Sequence, residues 1–164
     1  FLYNMPCSKE EYDKLVPGTK IKVTGYKAEW SGEVEIIDAK FQILKDKKYI
    51  AEPQDVTQEL GTDALISYQN RYVSFKGMTV EPSNEAGDAF LYKWNGAGQD
   101  GDDLYFNVSK DGKTYTFTVE SYLCDKSTEV YSAVKNLKVG DVIDMEGFMY
   151  WYEGPNPHIT VVKK

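Results

Sequence analysis

The chain has 164 residues, 41% of them hydrophobic and 14% aromatic with 13 Tyr, which excludes a disordered polymer and allows one ordinary core or two small ones. Its net charge of −7 sets 26 carboxylates against 19 cations, of which only Arg71 is an arginine, and this balance weighs against a partner recognised through phosphates. No apolar run approaches the roughly 18 residues of a membrane-spanning helix.

In chain order, residues 1–5 read as a strand. Residues 8–15 read as a helix with Ser8 as its cap and Glu11 closing a capping box. Residues 19–26 and 34–44 follow as two more strands. Residues 45–70 read as a structured linker, with Pro53, a cap at Asp55 and a short helix near 62–69. Tyr49, Ile50, Val56, Leu60, Leu65 and Ile66 are the apolar residues by which it would dock. Residues 71–80 alternate as a strand should and carry Gly77 where a coiled strand bends. Residues 81–103 are rich in Gly, Asp, Asn and Pro around an aromatic patch at 90–94. Residues 104–108 and 114–119 then form a hairpin about Asp111-Gly112. Val130, Tyr131, Val134 and Leu137 recur at helical spacing, with Ser127 and Thr128 as caps. Residues 142–152 are a strand, 154–157 a turn and 158–162 a last strand. The expected core of this second region is Val73, Phe75, Phe106, Val108, Phe117, Val119, Val134, Leu137, Val142, Met145 and Ile159.

An internal duplication organises these elements. Residues 15–26 (LVPGTKIKVTGY) return 122 positions later as residues 137–148 (LKVGDVIDMEGF), and the offset continues through Trp30/Tyr152 and Gly32/Gly154. The second copy is preceded by three strands and the first by one, so the chain is expected to begin part-way through its first unit. The domains expected are 1–44, the later part of a first unit; 45–70, the linker; and 71–164, a complete second unit. An incomplete first unit would expose Ile21, Val23, Ile36 and Phe41, and a swapped homodimer is one way to cover them. Cys7 and Cys124, one per unit, read as unpaired thiols or as a disulfide that would need the units face to face.

Three strands, a helix and two strands, with Gly in the first strand, is the order of the OB-fold, a five-stranded Greek-key barrel. The expected fold class is mainly β: tandem OB-folds with one helix each, the first barrel incomplete. The chain resembles the tandem OB-fold lipoproteins of Clostridia and other low-GC Gram-positive bacteria. The resemblance rests on residues 16–26 (VPGTKIKVTGY), 30–39 (WSGEVEIIDA), 49–57 (YIAEPQDVT) and 70–80 (NRYVSFKGMTV). It implies an extracellular protein held at the cell membrane by a lipid anchor upstream of Phe1, membrane contact being through that anchor alone.

Residue chemistry argues for binding and against catalysis. The single histidine, His158, lies beside prolines with no nucleophile, zinc-spacing or phosphate-loop pattern near it. No cofactor is expected. The run 98–103 (GQDGDD) reads as an acidic solvated turn, with a Ca²⁺ site formed by Asp100, Asp102 and Asp103 as the alternative. OB barrels bind oligonucleotides and oligosaccharides on the face of strands two and three and on the loops beside it. In the second unit those places hold Tyr92, Trp94, Tyr105, Tyr115, Trp151 and Tyr152, flat rings suited to stacking on sugars, although rings that merely cover the barrel end are the plainer reading. The function expected is a non-catalytic extracellular binding module for a glycan or protein. Single-stranded nucleic-acid binding is the less favoured alternative, because it needs a basic groove, and a small secreted hydrolase or nuclease is a third.

Overall fold

The structure is a computed structural model describing all residues from Phe1 to Lys164, and the chain divides into two units. Phe1–Glu52 with Trp151–Gly154 makes the first; Pro53–Tyr150 with Pro155–Lys164 makes the second.

In the first unit, α1 (Lys9–Lys14) begins at a capping box in which the Glu11 N–H donates to Ser8 Oγ at 3.2 Å and the Ser8 N–H to Glu11 Oε2 at 2.8 Å. The long hairpin β1 (Ile21–Trp30) and β2 (Glu33–Ile43) turns at Ser31-Gly32, both at positive φ (49° and 88°), the geometry a two-residue turn needs to match strand twist. The register shifts at Gly25, where a Cβ would lie 2.6 Å from the Ile36 side chain and 2.8 Å from the Ile37 carbonyl. The strand expected at residues 1–5 is reduced to one parallel bridge, Leu2–Ile36. Ile21, Val23, Ile36 and Phe41 are half-buried.

The second unit begins earlier than residue 71. β3 (Gln54–Asp55) pairs with the start of β4 (Tyr72–Glu81), and Val56, Leu60 and Leu65 are buried, so this half of the expected linker is domain structure. The other anchors do not dock: Tyr49, Ile50 and Ile66 are 78%, 65% and 54% exposed. The expected short helix is a 3-10 helix, Asp63–Tyr68, preceded by another at Thr57–Glu59.

Beyond β4 come β5 (Leu91–Tyr92), β6 (Leu104–Lys110), β7 (Lys113–Val119), α2 (Glu129–Lys135), β8 (Val142–Phe148) and β9 (His158–Lys163). The barrel is closed. β4 pairs with β8, β8 with β9, β9 with β7, β7 with β6, and β6 returns to β4 through Thr79–Glu81. All these pairings are antiparallel except β7–β9, and α2 lies between the third and fourth barrel strands, which is the OB-fold layout. β4 serves two neighbours because a bulge at Lys76-Gly77 bends it; Val73 and Phe75 are buried before the bulge, Met78 and Val80 after it.

Phe117 sits 4.6 Å from Phe75 and 6.3 Å from Phe106, ring centre to ring centre, in the middle of the core. Val130, Tyr131 and Val134 bury one face of α2. Every residue of the expected core is buried except Val142, which is 59% exposed. Alternation explains the exception, since a strand that buries Ile143 and Met145 must turn Val142 outward.

Candidate ligand-binding face

Leu104, Phe106, Val108, Phe117 and Val119 point into the barrel, so alternation turns Tyr105, Asn107, Thr116 and Thr118 out. Tyr105 stands opposite Thr118, and Asn107 opposite Thr116, whose hydroxyl donates to Asn107 Oδ1 at 2.8 Å. At one end of this face three strand ends meet: Asp103 just before β6, Glu120 just after β7, and His158 opening β9, brought alongside by the parallel Thr118–His158 pairing.

Asp103 accepts two hydrogen bonds at Oδ1, from the Ser121 N–H at 2.7 Å and the Ser121 hydroxyl at 2.6 Å. Glu120 is different. Burial, then the charge of Asp103 and a hydrogen bond with it, push its pKa up to about 7, so Glu120 keeps its proton in acid and still holds it in about half of the molecules at neutrality, where it can donate. His158 is 4% exposed, and burial pushes its pKa down to about 4, leaving a neutral ring. Its Nε2 faces Glu120 Oε1 at 3.4 Å without the alignment of a hydrogen bond. The imidazole stacks on Tyr150 at 4.3 Å and meets the edge of Tyr122 at 6.5 Å. Burial, with Glu120 and Asp103 close by, raises the Tyr105 hydroxyl to about 12, which keeps it protonated as a donor. Thr118 donates to Asn156 Oδ1 at 3.1 Å.

The result is a small polar patch with one acid that holds its proton, one acceptor carboxylate, a neutral imidazole and three phenol rings, of which Tyr122 is 67% exposed. Such a set can donate to and accept from hydroxyls while offering flat faces to apolar C–H groups.

The sequence-predicted site residues fall in four places. Tyr105 is in the patch. Tyr92 pairs with Leu104, on the other side of the ladder, where its hydroxyl joins Lys135 and Asp100 near α2. Trp94 stands on the loop, 75% exposed. Tyr115 lines a cleft beside Leu60 and Pro157. Trp151 and Tyr152 group with the first unit. There the Trp151 N–H donates to the buried Glu33 at 2.8 Å, and Tyr152 packs on Trp30 at 5.2 Å.

The acidic run is taken up by local partners. Asp100 pairs with Lys135 at 2.5 Å and Lys126 at 3.8 Å, which holds its carboxyl below the usual range, and Asp102 pairs with Lys93 at 3.7 Å. The Tyr131 hydroxyl clamps the same turn, accepting from the Gly101 N–H at 2.8 Å and donating to the Asp102 carbonyl at 2.7 Å. No group of three or more His, Cys, Asp or Glu is arranged to hold a metal ion. Both cysteines are free thiols, Cys7 exposed and Cys124 buried.

Sequence reasoning missed Asp103, Glu120, Tyr122, Tyr150 and His158 as a group. The available signal was the β7–β9 pairing that an OB-fold implies, which puts the start of the last strand beside the end of the third.

Among solved structures, the chain is similar to asparaginyl-tRNA synthetase from Pyrococcus horikoshii complexed with asparaginyl-adenylate, with a TM-score of 0.41 and 11% identity. The likeness covers 59% of this chain and spans 19% of the synthetase chain. No protein-family model matches the chain, and no curated protein does.

Proposed function

We propose that the protein is a non-catalytic binding module whose second-unit barrel holds an oligosaccharide over the outward face of β6 and β7. The observation that carries this reading is the pairing of a proton-holding Glu120 with an acceptor Asp103 among Tyr105, Tyr122 and Tyr150. A sugar ring presents hydroxyls that need both kinds of partner and C–H faces that stack on phenol rings. A phosphate-bearing strand would meet the Asp103 carboxylate there and a chain of net charge −7. A glycan array followed by calorimetry with the retained sugar tests the proposal. Tyr122→Ala should weaken binding at least tenfold without changing thermal stability. No retained glycan, or affinity indifferent to Tyr122, would sink it.

The two units are, in this reading, copies of one barrel design, and the support is geometric as well as sequential. Gly25 and Gly147 are 122 positions apart, and both lie at register shifts. A Cβ on Gly25 would strike Ile36 and Ile37, and one on Gly147 would strike His158 and Ile159, again 122 positions on. The lone parallel bridge of the first unit ends on Ile36 and the parallel pairing of the second on His158, at the same offset. An extracellular, lipid-anchored location is proposed from the family resemblance, and mass spectrometry of the N-terminus from a membrane fraction would test it.

A further inference from the structure

Two clefts of the second unit share Leu60 and Tyr115. One, of about 240 Å³, is floored by Leu65, Phe117, Pro155 and Pro157; the other, of about 150 Å³, is flanked by Lys110 and Lys113. Two shared walls make them the two ends of a single groove, apolar at one end and cationic at the other. The β6–β7 hairpin builds the cationic end. Lys110 and Lys113 are the last paired residues before the Asp111-Gly112 turn, whose φ angles of 50° and 77° fold the strands sharply back. Neither lysine has a carboxylate within ion-pair distance, and the Lys110 ammonium reaches only the Gly77 carbonyl at 3.3 Å. Asp111 belongs to the same end but sits exposed at the turn.

Gly61 keeps the middle of the groove open. Its φ of +75° favours glycine, and a Cβ there would lie 2.8 Å from the Tyr115 hydroxyl and 3.7 Å from Lys113 Nζ. At the junction, therefore, backbone, phenol and ammonium lie within a few ångströms of one point. A charged head and an apolar tail would each find a matching surface there, in a chain whose overall charge of −7 would otherwise repel anions.

We propose that this groove is a binding site for an anionic amphiphile, an aliphatic carboxylate whose chain lies on Leu60, Leu65, Phe117 and the two prolines and whose head meets Lys110 and Lys113. A 150 Å³ apolar cavity holds benzene, so by proportion the apolar end takes a chain of roughly eight to ten carbons. Each methylene buried should tighten binding about three- to fourfold. The site lies apart from the Glu120 patch in residues and in ligand chemistry, so it stands or falls independently of the glycan reading.

The test is a titration of the ¹⁵N-labelled full chain with decanoate, hexanoate, decanol and decyltrimethylammonium, each below its micelle concentration. Decanoate should shift the amides of Leu60, Gly61, Leu65, Tyr115 and Phe117 and bind at least tenfold more tightly than hexanoate. Lys110→Gln with Lys113→Gln, the first half-buried and the second exposed at the hairpin end, should cost decanoate about tenfold and leave decanol unchanged. Equal affinity for decanoate and decyltrimethylammonium, shifts centred elsewhere, or no shift with decanoate would overturn the proposal.

Discussion

Replacing Glu120 by Gln should change the pH dependence of stability in a way that only a buried, proton-holding carboxyl can produce. In the folded chain Glu120 keeps its proton to about pH 7, whereas its ordinary value is 4.5. Folding is therefore penalised progressively as pH rises from about 4.5 to 7, and the penalty stays constant above that. The gap of about 2.5 units corresponds to about 3 kcal/mol at 1.36 kcal/mol per unit; with the side chain still 14% exposed, solvent screening reduces this to about 1–2 kcal/mol. His158 works the other way. The unfolded ring takes a proton near 6.5 and the folded one only near 4, so stability is lost as pH falls through that window. Between about 4.5 and 6.5 the two slopes cancel, because the folded pair keeps on Glu120 the single proton that the unfolded pair keeps on His158. Glu120→Gln removes one slope and exposes the other. The variant should match wild type near pH 4 and exceed it by about 1–2 kcal/mol at pH 8, its stability rising to pH 6.5 and then staying flat. Urea denaturation from pH 4 to 8, followed by circular dichroism and by the amide resonances of β6 and β7, reads the difference. A gap between variant and wild type that is the same at every pH would refute the argument.

Phe117→Ala should cost about 3–5 kcal/mol, because the ring is 1% exposed between Phe75 and Phe106; a loss under about 1 kcal/mol in urea melts would mean that β7 does not face the core. Gly147→Ala should be among the most damaging single-atom additions, since its Cβ would fall 2.1 Å from the His158 carbonyl oxygen. The cost expected is at least about 3 kcal/mol, with the loss of β8–β9 amide protection as the readout, and a variant as stable as wild type would contradict the close strand approach.

Much of the barrel was legible along the chain. β6 and β7 alternate strictly about a positive-φ turn, α2 repeats its apolar residues at helical spacing, and the Ser8–Glu11 box announces α1 where it occurs. Errors came where local pattern is ambiguous. Val142-Ile143 offers two adjacent β-branched residues, and only the pairing with β4 says which faces inward. Residues 53–70 look like a connector because their 3-10 turns have no strong period, yet Leu60 and Leu65 are buried. Of the aromatic residues proposed for one binding surface, Tyr105 alone joins the polar patch, because the ladder turns Tyr92 to the opposite side and Trp151 and Tyr152 pack in the first unit.

Strand alternation, helix caps and tight turns depend on neighbours a few positions apart, and the 122-residue echo between the units is the chain compared with itself, so all of them can be read along the sequence. What only the tertiary structure decided was whatever depends on meetings across the barrel. Asp103, Glu120 and His158 are ordinary residues in the chain. Glu120 and His158 acquire their unusual protonation because the ends of three strands converge in a place that water scarcely enters, and no local pattern encodes that convergence.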